Sequence, residues 1–332
     1  MDKITKRTRY PELDVFRGLA ILFVLLYHYT TRYNEIYVHS GMSFEFPYGF
    51  LGVQFFFMLS GFLIYMSLDN VHSSYEFVVN RVSRLYPAYW ASILITFSAL
   101  CFYKLPGREV TLLDVVLNMT MLQSWLSSKH FVIIKNVDGA YWTLSTFLSF
   151  YLIVFLINKF NARNKIHGIC LSWLVVIFLV GLCNKLGGSV NLTPIFRDGG
   201  FFIVGIMFFL LKKHGYRPFT GVILLLSLLS VYYVDGLLIF CLSVMFSVLF
   251  YLSITNCLRF ISVKPLVFLG SISYSLYLLH QNIGYIVIRE LYKYEVNYFL
   301  VVLIPTLISL LLATFVTFCI EKPAMRLLRS RL

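Results

Sequence analysis

The hydrophobic residues of this chain lie in long runs that polar residues interrupt only at intervals. These runs recur from Leu13 to Ile320, and a run of about 20 apolar residues is long enough to cross a bilayer as an α-helix. The pattern predicts an all-α polytopic membrane protein with about ten transmembrane helices. Their predicted positions are residues 13–31, 48–68, 85–103, 140–158, 167–184, 195–211, 219–233, 236–255, 266–288 and 297–320.

One apolar segment is interrupted too often to be read as a span. Between residues 110 and 126 the run contains Asp114, Asn118 and Gln123, so we place it outside the membrane or at its surface. It belongs to the longest polar stretch of the chain, from Lys104 to Asp138. A polar loop of this length either contributes to a functional surface or only spaces two helices.

The basic residues define the predicted topology. An even number of spans places both termini on one side, and we assign them to the cytoplasm with residues 69–84, 159–165, 212–217 and 256–264. These segments hold about 18 lysines and arginines, and the segments on the other side hold about half as many, as the positive-inside rule requires. The net charge of +13 therefore reflects topology. No nucleic-acid partner is expected, because no nucleic-acid-binding motif accompanies the charge.

The composition agrees with a membrane protein and excludes several classes of site. The chain is 59% hydrophobic and only 13% charged, with a mean hydropathy of +0.79. We expect residues 1–332 to form a single transmembrane domain with no appended soluble domain and no cleaved leader. The six cysteines are scattered through apolar segments without CxxC pairs, so neither a disulfide framework nor a metal site is predicted.

Two chemically active residues share the first predicted span. Arg17 and His28 are eleven residues apart, close to three helical turns, so they project from one helix face roughly 16 Å apart along the axis. A cation and a titratable ring inside an apolar span are costly to insert and often mark a substrate path or reaction centre. The alternative is that Arg17 reaches a lipid headgroup and His28 bonds a neighbouring helix.

A second basic pair follows the second predicted span. Arg81 and Arg84 are three residues apart in NRVSRLYPAYW, so on a short helix they share a face, and Pro87 would begin the third span. Two guanidinium groups on one face suit phosphate binding, because each offers a planar fork of donors. The alternative is an ordinary positive-inside flank. Both arginines lie on the predicted cytoplasmic side with Arg17, so three arginines are expected to converge on one anionic ligand.

Five motifs in order resemble the acyltransferase 3 family of integral membrane O-acyltransferases. They are LDVFRGLAILFVLLYHY, GFLGVQFFFMLSGFLIY, RVSRLYPAYW, SISYSLYLLH and IEKP, and they extend from about Leu13 to Pro323. The resemblance implies a multi-pass transferase of the bacterial cytoplasmic (inner) membrane. It would move an acetyl group from acetyl-CoA to a hydroxyl of a cell-surface glycan or lipid-linked glycan, such as lipopolysaccharide O-antigen or exopolysaccharide.

The resemblance also assigns roles to individual residues. It implies that Arg17 and His28 are the family's arginine and histidine of span one and that Arg81 and Arg84 are its RxxR pair. Supporting positions are Asp14, Gln54 and Glu321. The chain departs from the family at Phe147, where many members have a glutamate in WSLxxE, and Asp138 is a nearby candidate to replace that acid.

The residues and the resemblance lead to one mechanistic hypothesis. Acetyl-CoA would bind at the cytoplasmic arginines, and its thioester would lie near His28, which acts as general base or forms a transient acetyl-histidine. His280 either lines the acceptor path or makes a helix-packing hydrogen bond, and Trp142 either belongs to an interfacial belt or stacks on a sugar. A transporter or flippase of a lipid-linked sugar is the alternative function, although no inverted repeat supports it.

Overall fold

The structure is a computed structural model that describes residues 10–37, 44–127, 133–188 and 194–330. Ten long helices run through these residues and no strand occurs among them. They are α1 Pro11–Ile36, α2 Pro47–Asn70, α3 Ser74–Phe102, α4 Gly139–Lys159, α5 Ala162–Lys185, α6 Gly199–His214, α7 Pro218–Asp235, α8 Leu237–Ile254, α9 Lys264–Tyr292 and α10 Tyr298–Arg329. Pro194–Arg197 forms one extra turn before α6.

All ten predicted spans fall on these long helices. Within the described residues, eight helices are long and apolar enough to cross a membrane, which confirms an all-helical, multi-pass membrane protein. The other two are α6, which has 16 residues, and α9, which carries more polar residues over its 29. The count of ten crossings and the cytoplasmic position of both termini stay predictions. The basic residues at positions 3–9 lie outside the described part of the chain.

The prediction for the start of the third span was wrong. Arg81 and Arg84 do not lie on a separate short helix, because α3 continues without a break through Pro87. The helix begins after Ser73, whose side chain accepts a hydrogen bond from the backbone N–H of Glu76 at 3.0 Å. Proline removes one backbone donor, a loss that membrane helices tolerate. The arginine pair is therefore carried rigidly by the same helix that continues into the membrane.

The interrupted segment at residues 110–126 forms two short helices, Leu112–Met119 and Gln123–Leu126. Neither is long enough to cross a bilayer. Thr111 and Asp114 form a capping box at the start of the first helix. The Asn118 amide donates to the carbonyl of Lys135 at 2.8 Å, so this buried polar side chain fixes the segment against the chain that leads into α4.

Helix α1 lies at the centre and packs against α2 and α9. The approach of α1 and α9 is close at Gly18 and Gly270: a Cβ atom on Gly270 would lie 1.9 Å from the carbonyl oxygen of Asp14. Gly61 and Gly205 make a similar crossing between α2 and α6, where a Cβ on Gly205 would lie 2.0 Å from the Met58 carbonyl oxygen. Small residues let membrane helices approach in this way.

Two of the long helices contain a π-helical segment. In α1 it covers His28–Arg32, and in α10 it covers Val316–Glu321. Such segments insert an extra residue into a turn, which redirects side chains and is frequent at functional sites. Each segment here contains one residue singled out from the sequence, His28 or Glu321.

Candidate active site

Three arginines from two helices line one cavity. Arg17 of α1 and the pair Arg81 and Arg84 of α3 surround a space of about 180 Å³, together with Tyr151 and Tyr274. Asp14 lies beside Arg17, with 3.6 Å between its carboxylate oxygen and the Arg17 guanidinium. The three arginines therefore line one space, which we call the arginine cavity, and the anionic ligand expected there stays a prediction.

A buried ion pair holds Arg84 in the arginine cavity. Its guanidinium contacts the carboxylate of Glu321, and Glu321 is only 1% exposed. The second oxygen of Glu321 accepts a hydrogen bond from the Ser275 hydroxyl at 3.1 Å, and Ser275 accepts one from Thr317 at 2.9 Å. The π-helical segment of α10 thus supplies a carboxylate and a hydroxyl that position Arg84 from behind.

A polar opening adjoins the arginine cavity through Arg81 and Arg84, which line both spaces. This opening has a volume of about 250 Å³ and is also lined by Asn80 and Arg329. The guanidinium of Arg329 donates to the carbonyl of Asn80 at 3.1 Å. A fourth arginine, close to the end of the chain, therefore joins the pair on α3.

His28 lines a separate cavity of about 320 Å³ toward the other end of α1. We call it the histidine cavity. Gln54 and Trp142, both singled out from the sequence, line it as well, together with Arg108 and Gln281. The side-chain oxygen of Gln54 is buried and accepts no hydrogen bond from the described residues. The supporting positions are thus divided, with Asp14 and Glu321 at the arginines and Gln54 and Trp142 beside His28.

The hydrogen bond of His28 goes to a tyrosine. Its Nδ1 lies 3.1 Å from the hydroxyl of Tyr285 on α9. His280 packs against His28, with ring centroids 5.0 Å apart, but it does not line the histidine cavity. Its Nδ1 donates to the carbonyl of Tyr277 on its own helix at 2.8 Å. His280 therefore lies behind the His28 ring, and a place on the acceptor path stays a prediction.

The two cavities meet at Val53 and Tyr277, the residues that line both. The Tyr277 hydroxyl donates to the carbonyl of Ala140 at 3.0 Å and lies 2.9 Å from the hydroxyl of Thr143. These bonds fix the ring between α9 and the start of α4. The arginine cavity therefore adjoins the polar opening at Arg81 and Arg84 and the histidine cavity at Val53 and Tyr277.

The position of the missing family glutamate faces the arginines. Phe147 lines the arginine cavity and packs on Phe57, with ring centroids 5.0 Å apart. Asp138 does not replace the acid there: its carboxylate accepts hydrogen bonds from the backbone N–H groups of Ala140 and Asn282, both at 2.9 Å. Burial raises the pKa of Asp138 to about 6. Its role is to join the start of α4 to α9.

Sequence reasoning missed several lining residues. Arg108 and Arg329 contributed only to the charge count, and Tyr277 and Tyr285 were not singled out from the other tyrosines. Tyr277 does lie three residues before His280 on α9, a spacing that places both on one face of this helix. Tyr285 lies five residues after His280, a spacing that gives no such signal. Arg108 lies in a polar loop, and a loop has no periodic pattern from which the direction of a side chain could be predicted.

Comparisons with known proteins identify the family of this chain. A family described as an acyltransferase domain matches residues 10–321, so the chain belongs to this acyltransferase family. ORF330 of Acidianus two-tailed virus, named as a predicted acetyltransferase, is 27% identical and covers 81% of this chain and 82% of its own length. O-acetyltransferase OatA of Staphylococcus aureus is 25% identical over 85% of this chain and 52% of OatA.

A third relative is YrhL of Bacillus subtilis, named as a predicted peptidoglycan O-acetyltransferase, which is 29% identical over 57% of this chain and 30% of YrhL. The chain spans about half the length of OatA. No solved structure matches the chain. Family and relatives together identify an O-acyltransferase and favour this class over the transporter or flippase alternative.

Proposed function

We propose that this chain takes an acetyl group from acetyl-CoA on the cytoplasmic side of a bacterial inner membrane and transfers it to a hydroxyl of a cell-surface glycan. The observation that carries the proposal is a series of adjoining spaces, in which the arginine cavity shares lining residues with the polar opening and with the histidine cavity. A donor that has an anionic head and a long thin arm fits such a series.

The arginines would bind the phosphates of coenzyme A. Arg81 and Arg84 line both the polar opening and the arginine cavity, and each offers a planar fork that suits two phosphate oxygens. Arg17 adds a third positive charge deeper along α1. The pair of guanidinium groups therefore favours a phosphate-bearing donor over a neutral sugar as the proposed ligand of this region.

The pantetheine arm would extend along α1 toward His28. Arg17 and His28 are separated by about 16 Å of helical rise, and the wall between them includes Val53, Phe56 and Leu144. These apolar side chains suit an extended arm with few polar groups. The arm has to pass Tyr277, which lines both cavities.

His28 would act as general base on the acceptor. Neutral imidazole can accept a proton from a hydroxyl, which is the function of a general base. It takes the hydroxyl proton, the acceptor oxygen forms a bond to the thioester carbon, and the carbon–sulfur bond then breaks. The proton passes from His28 to the leaving thiolate. The bond from His28 to Tyr285 fixes the orientation of the ring.

The alternative mechanism forms a covalent acetyl-histidine at His28. Trapping the labelled intermediate distinguishes this mechanism from general-base catalysis. Wild-type protein incubated with labelled acetyl-CoA and no acceptor, then quenched and digested, retains no label on the His28 peptide if the histidine is a base. Label that stays on this peptide would establish the covalent route.

Transfer can be tested in inverted membrane vesicles, which expose the cytoplasmic face to added donor and retain the host glycan. Vesicles that contain the chain should incorporate base-labile label from [¹⁴C]acetyl-CoA into glycan, and vesicles without it should not. Because YrhL is named for peptidoglycan, peptidoglycan and its lipid-linked precursor are the first acceptors to analyse. Equal incorporation with and without the chain would contradict the proposal.

A further inference from the structure

Arg108 lies in the histidine cavity although it comes from the loop after α3. Two contacts attach that loop to the helices: Arg289 donates to the carbonyl of Lys104 at 2.7 Å, and the Tyr37 hydroxyl donates to the carbonyl of Pro106 at 3.2 Å. Arg108 itself donates its backbone N–H to Leu105 at 3.1 Å. The loop is therefore held on both α9 and α1, which positions the Arg108 side chain.

The Arg108 guanidinium lies directly against the start of α4. A Cβ atom on Gly139 would be 2.8 Å from its Nη1 and 2.6 Å from the amide nitrogen of Gln281. A side chain at this position would displace both groups from their present places. The lack of a side chain at Gly139 thus brings a cation and an amide to the wall of the space that His28 lines.

The charge of Arg108 is not neutralised by an ion pair. No carboxylate of the described residues forms a salt bridge with it, whereas Arg32, the other cation of the histidine cavity, is paired with Glu35 at 2.6 Å. The Arg108 guanidinium lies over the ring of Tyr285, 5.9 Å from its centroid. The hydroxyl of the same tyrosine contacts His28, so one residue connects the unpaired cation and the proposed base.

We propose that Arg108 is a catalytic residue that stabilises the oxyanion formed when the acceptor attacks the thioester. The inference rests on the acyl transfer proposed above. As the acceptor oxygen bonds to the thioester carbon, the carbonyl electron pair moves onto the carbonyl oxygen and gives it a negative charge. When the intermediate collapses, this pair re-forms the carbonyl, and the bond to sulfur breaks. A fixed cation beside that oxygen stabilises the intermediate more than the substrate, which lowers the barrier.

The test measures maximal rates of base-labile label incorporation in inverted vesicles that contain the full chain. Arg108→Gln should lower the maximal rate about 10²-fold, the loss typical for one oxyanion donor, and the apparent KM for acetyl-CoA should change by less than about threefold. Arg108→Lys keeps the charge but not the planar fork, so its maximal rate should lie between those of Arg108→Gln and the wild type. The control is Lys293→Gln, which removes an exposed cation just after α9 that pairs with Glu290 at 2.7 Å and does not line the histidine cavity. It should keep at least about half of the wild-type rate, because surface changes have small effects.

A second donor separates oxyanion stabilisation from acceptor binding. In fluoroacetyl-CoA the electron-withdrawing fluorine itself stabilises the negative oxygen, so the ratio of wild-type to Arg108→Gln rates should shrink with this donor. An acceptor-binding role would leave the ratio the same for both donors and would overturn the proposal. It would also be overturned by an Arg108→Gln rate near wild type, or by an equal loss in Lys293→Gln. Wild-type vesicles that incorporate no label would instead refute the acyl transfer itself, and the role of Arg108 with it.

Discussion

The hydroxyl groups of Tyr277 and Thr143 lie 2.9 Å apart at the boundary between the arginine cavity and the histidine cavity. This contact joins α9 to the start of α4, and Val53 completes the boundary from α2. A donor arm that reaches His28 has to pass between Tyr277 and Val53. In the proposed mechanism this boundary separates donor binding from transfer, so the two steps should respond differently to substitutions there.

Enlarging Val53 should block transfer without loss of donor binding. Val53→Phe places a ring in the passage, so we expect the transfer rate to fall at least about tenfold, equivalent to about 1.4 kcal/mol of barrier. Acetyl-CoA binding to purified protein, measured by calorimetry, should stay within about threefold of wild type. Val53→Ala is the matched control and should retain transfer. Equal losses of binding and transfer in Val53→Phe would contradict a passage at this point.

The arginine pair should respond to loss of the planar fork and not only to loss of charge. Arg81→Lys and Arg84→Lys keep the charge, and each should weaken acetyl-CoA binding about tenfold because the bidentate contact with phosphate is lost. Lys165→Ala, an exposed flank of α5, serves as the control and should bind as wild type does. Wild-type affinity in both lysine variants would mean that the pair is only a topology signal.

Removing the carboxylate of Glu321 should affect stability more than removal of a surface carboxylate. Glu321→Gln leaves Arg84 without its buried partner, and we expect a loss of about 1–3 kcal/mol in the free energy of unfolding. Glu35→Gln breaks an ion pair whose two side chains are 44% and 47% exposed, and it should cost less than about 1 kcal/mol. Denaturant unfolding of both variants in the same detergent gives the comparison. Similar losses would show that the Arg84 ion pair is no stronger than the exposed one.

Asp138 should make the protein less stable as the pH rises. Burial raises its pKa to about 6 in the folded protein, above about 3.9 in an unfolded chain. The folded state therefore holds the proton more tightly, so this contribution is complete below about pH 4 and is lost as the pH passes about 6. Asp138→Asn should remove that part of the pH dependence. Unfolding temperatures measured between pH 4 and 7 test this, and identical profiles for the two proteins would contradict it.

The sequence predicted the helices better than their ends. Long apolar runs identify buried membrane helices by themselves, so all ten positions fall on helices. The start of α3 was missed because Pro87 was read as a helix start. The helix instead begins at Ser74, after the cap at Ser73 and eleven residues before the predicted start at residue 85. The end of α10 lies at Arg329 beyond the predicted residue 320, because the π-helical segment continues into a final polar turn.

The sequence of α1 alone predicted two central residues of the candidate site. Arg17 and His28 share a face by spacing alone, and the structure places them on two spaces that meet at shared residues. Arg108 and Tyr285 reach the histidine cavity from a loop and from α9, and contacts between segments so distant in sequence leave no periodic signal. The two π-helical segments also have no simple pattern, since each adds one residue to a turn within an otherwise regular helix.

The most direct test of the account is the transfer rate of His28→Ala. His28 is proposed as the base that takes the acceptor proton, and a positioned base contributes about 10²–10⁴ to the rate. We expect label incorporation in vesicles to fall by at least about 10²-fold, with acetyl-CoA binding retained at the arginines. His167→Ala is the matched control, because His167 bonds Thr220 on α7, away from both cavities. Loss of transfer in His28→Ala alone is the predicted result, and wild-type transfer in His28→Ala would contradict the central claim.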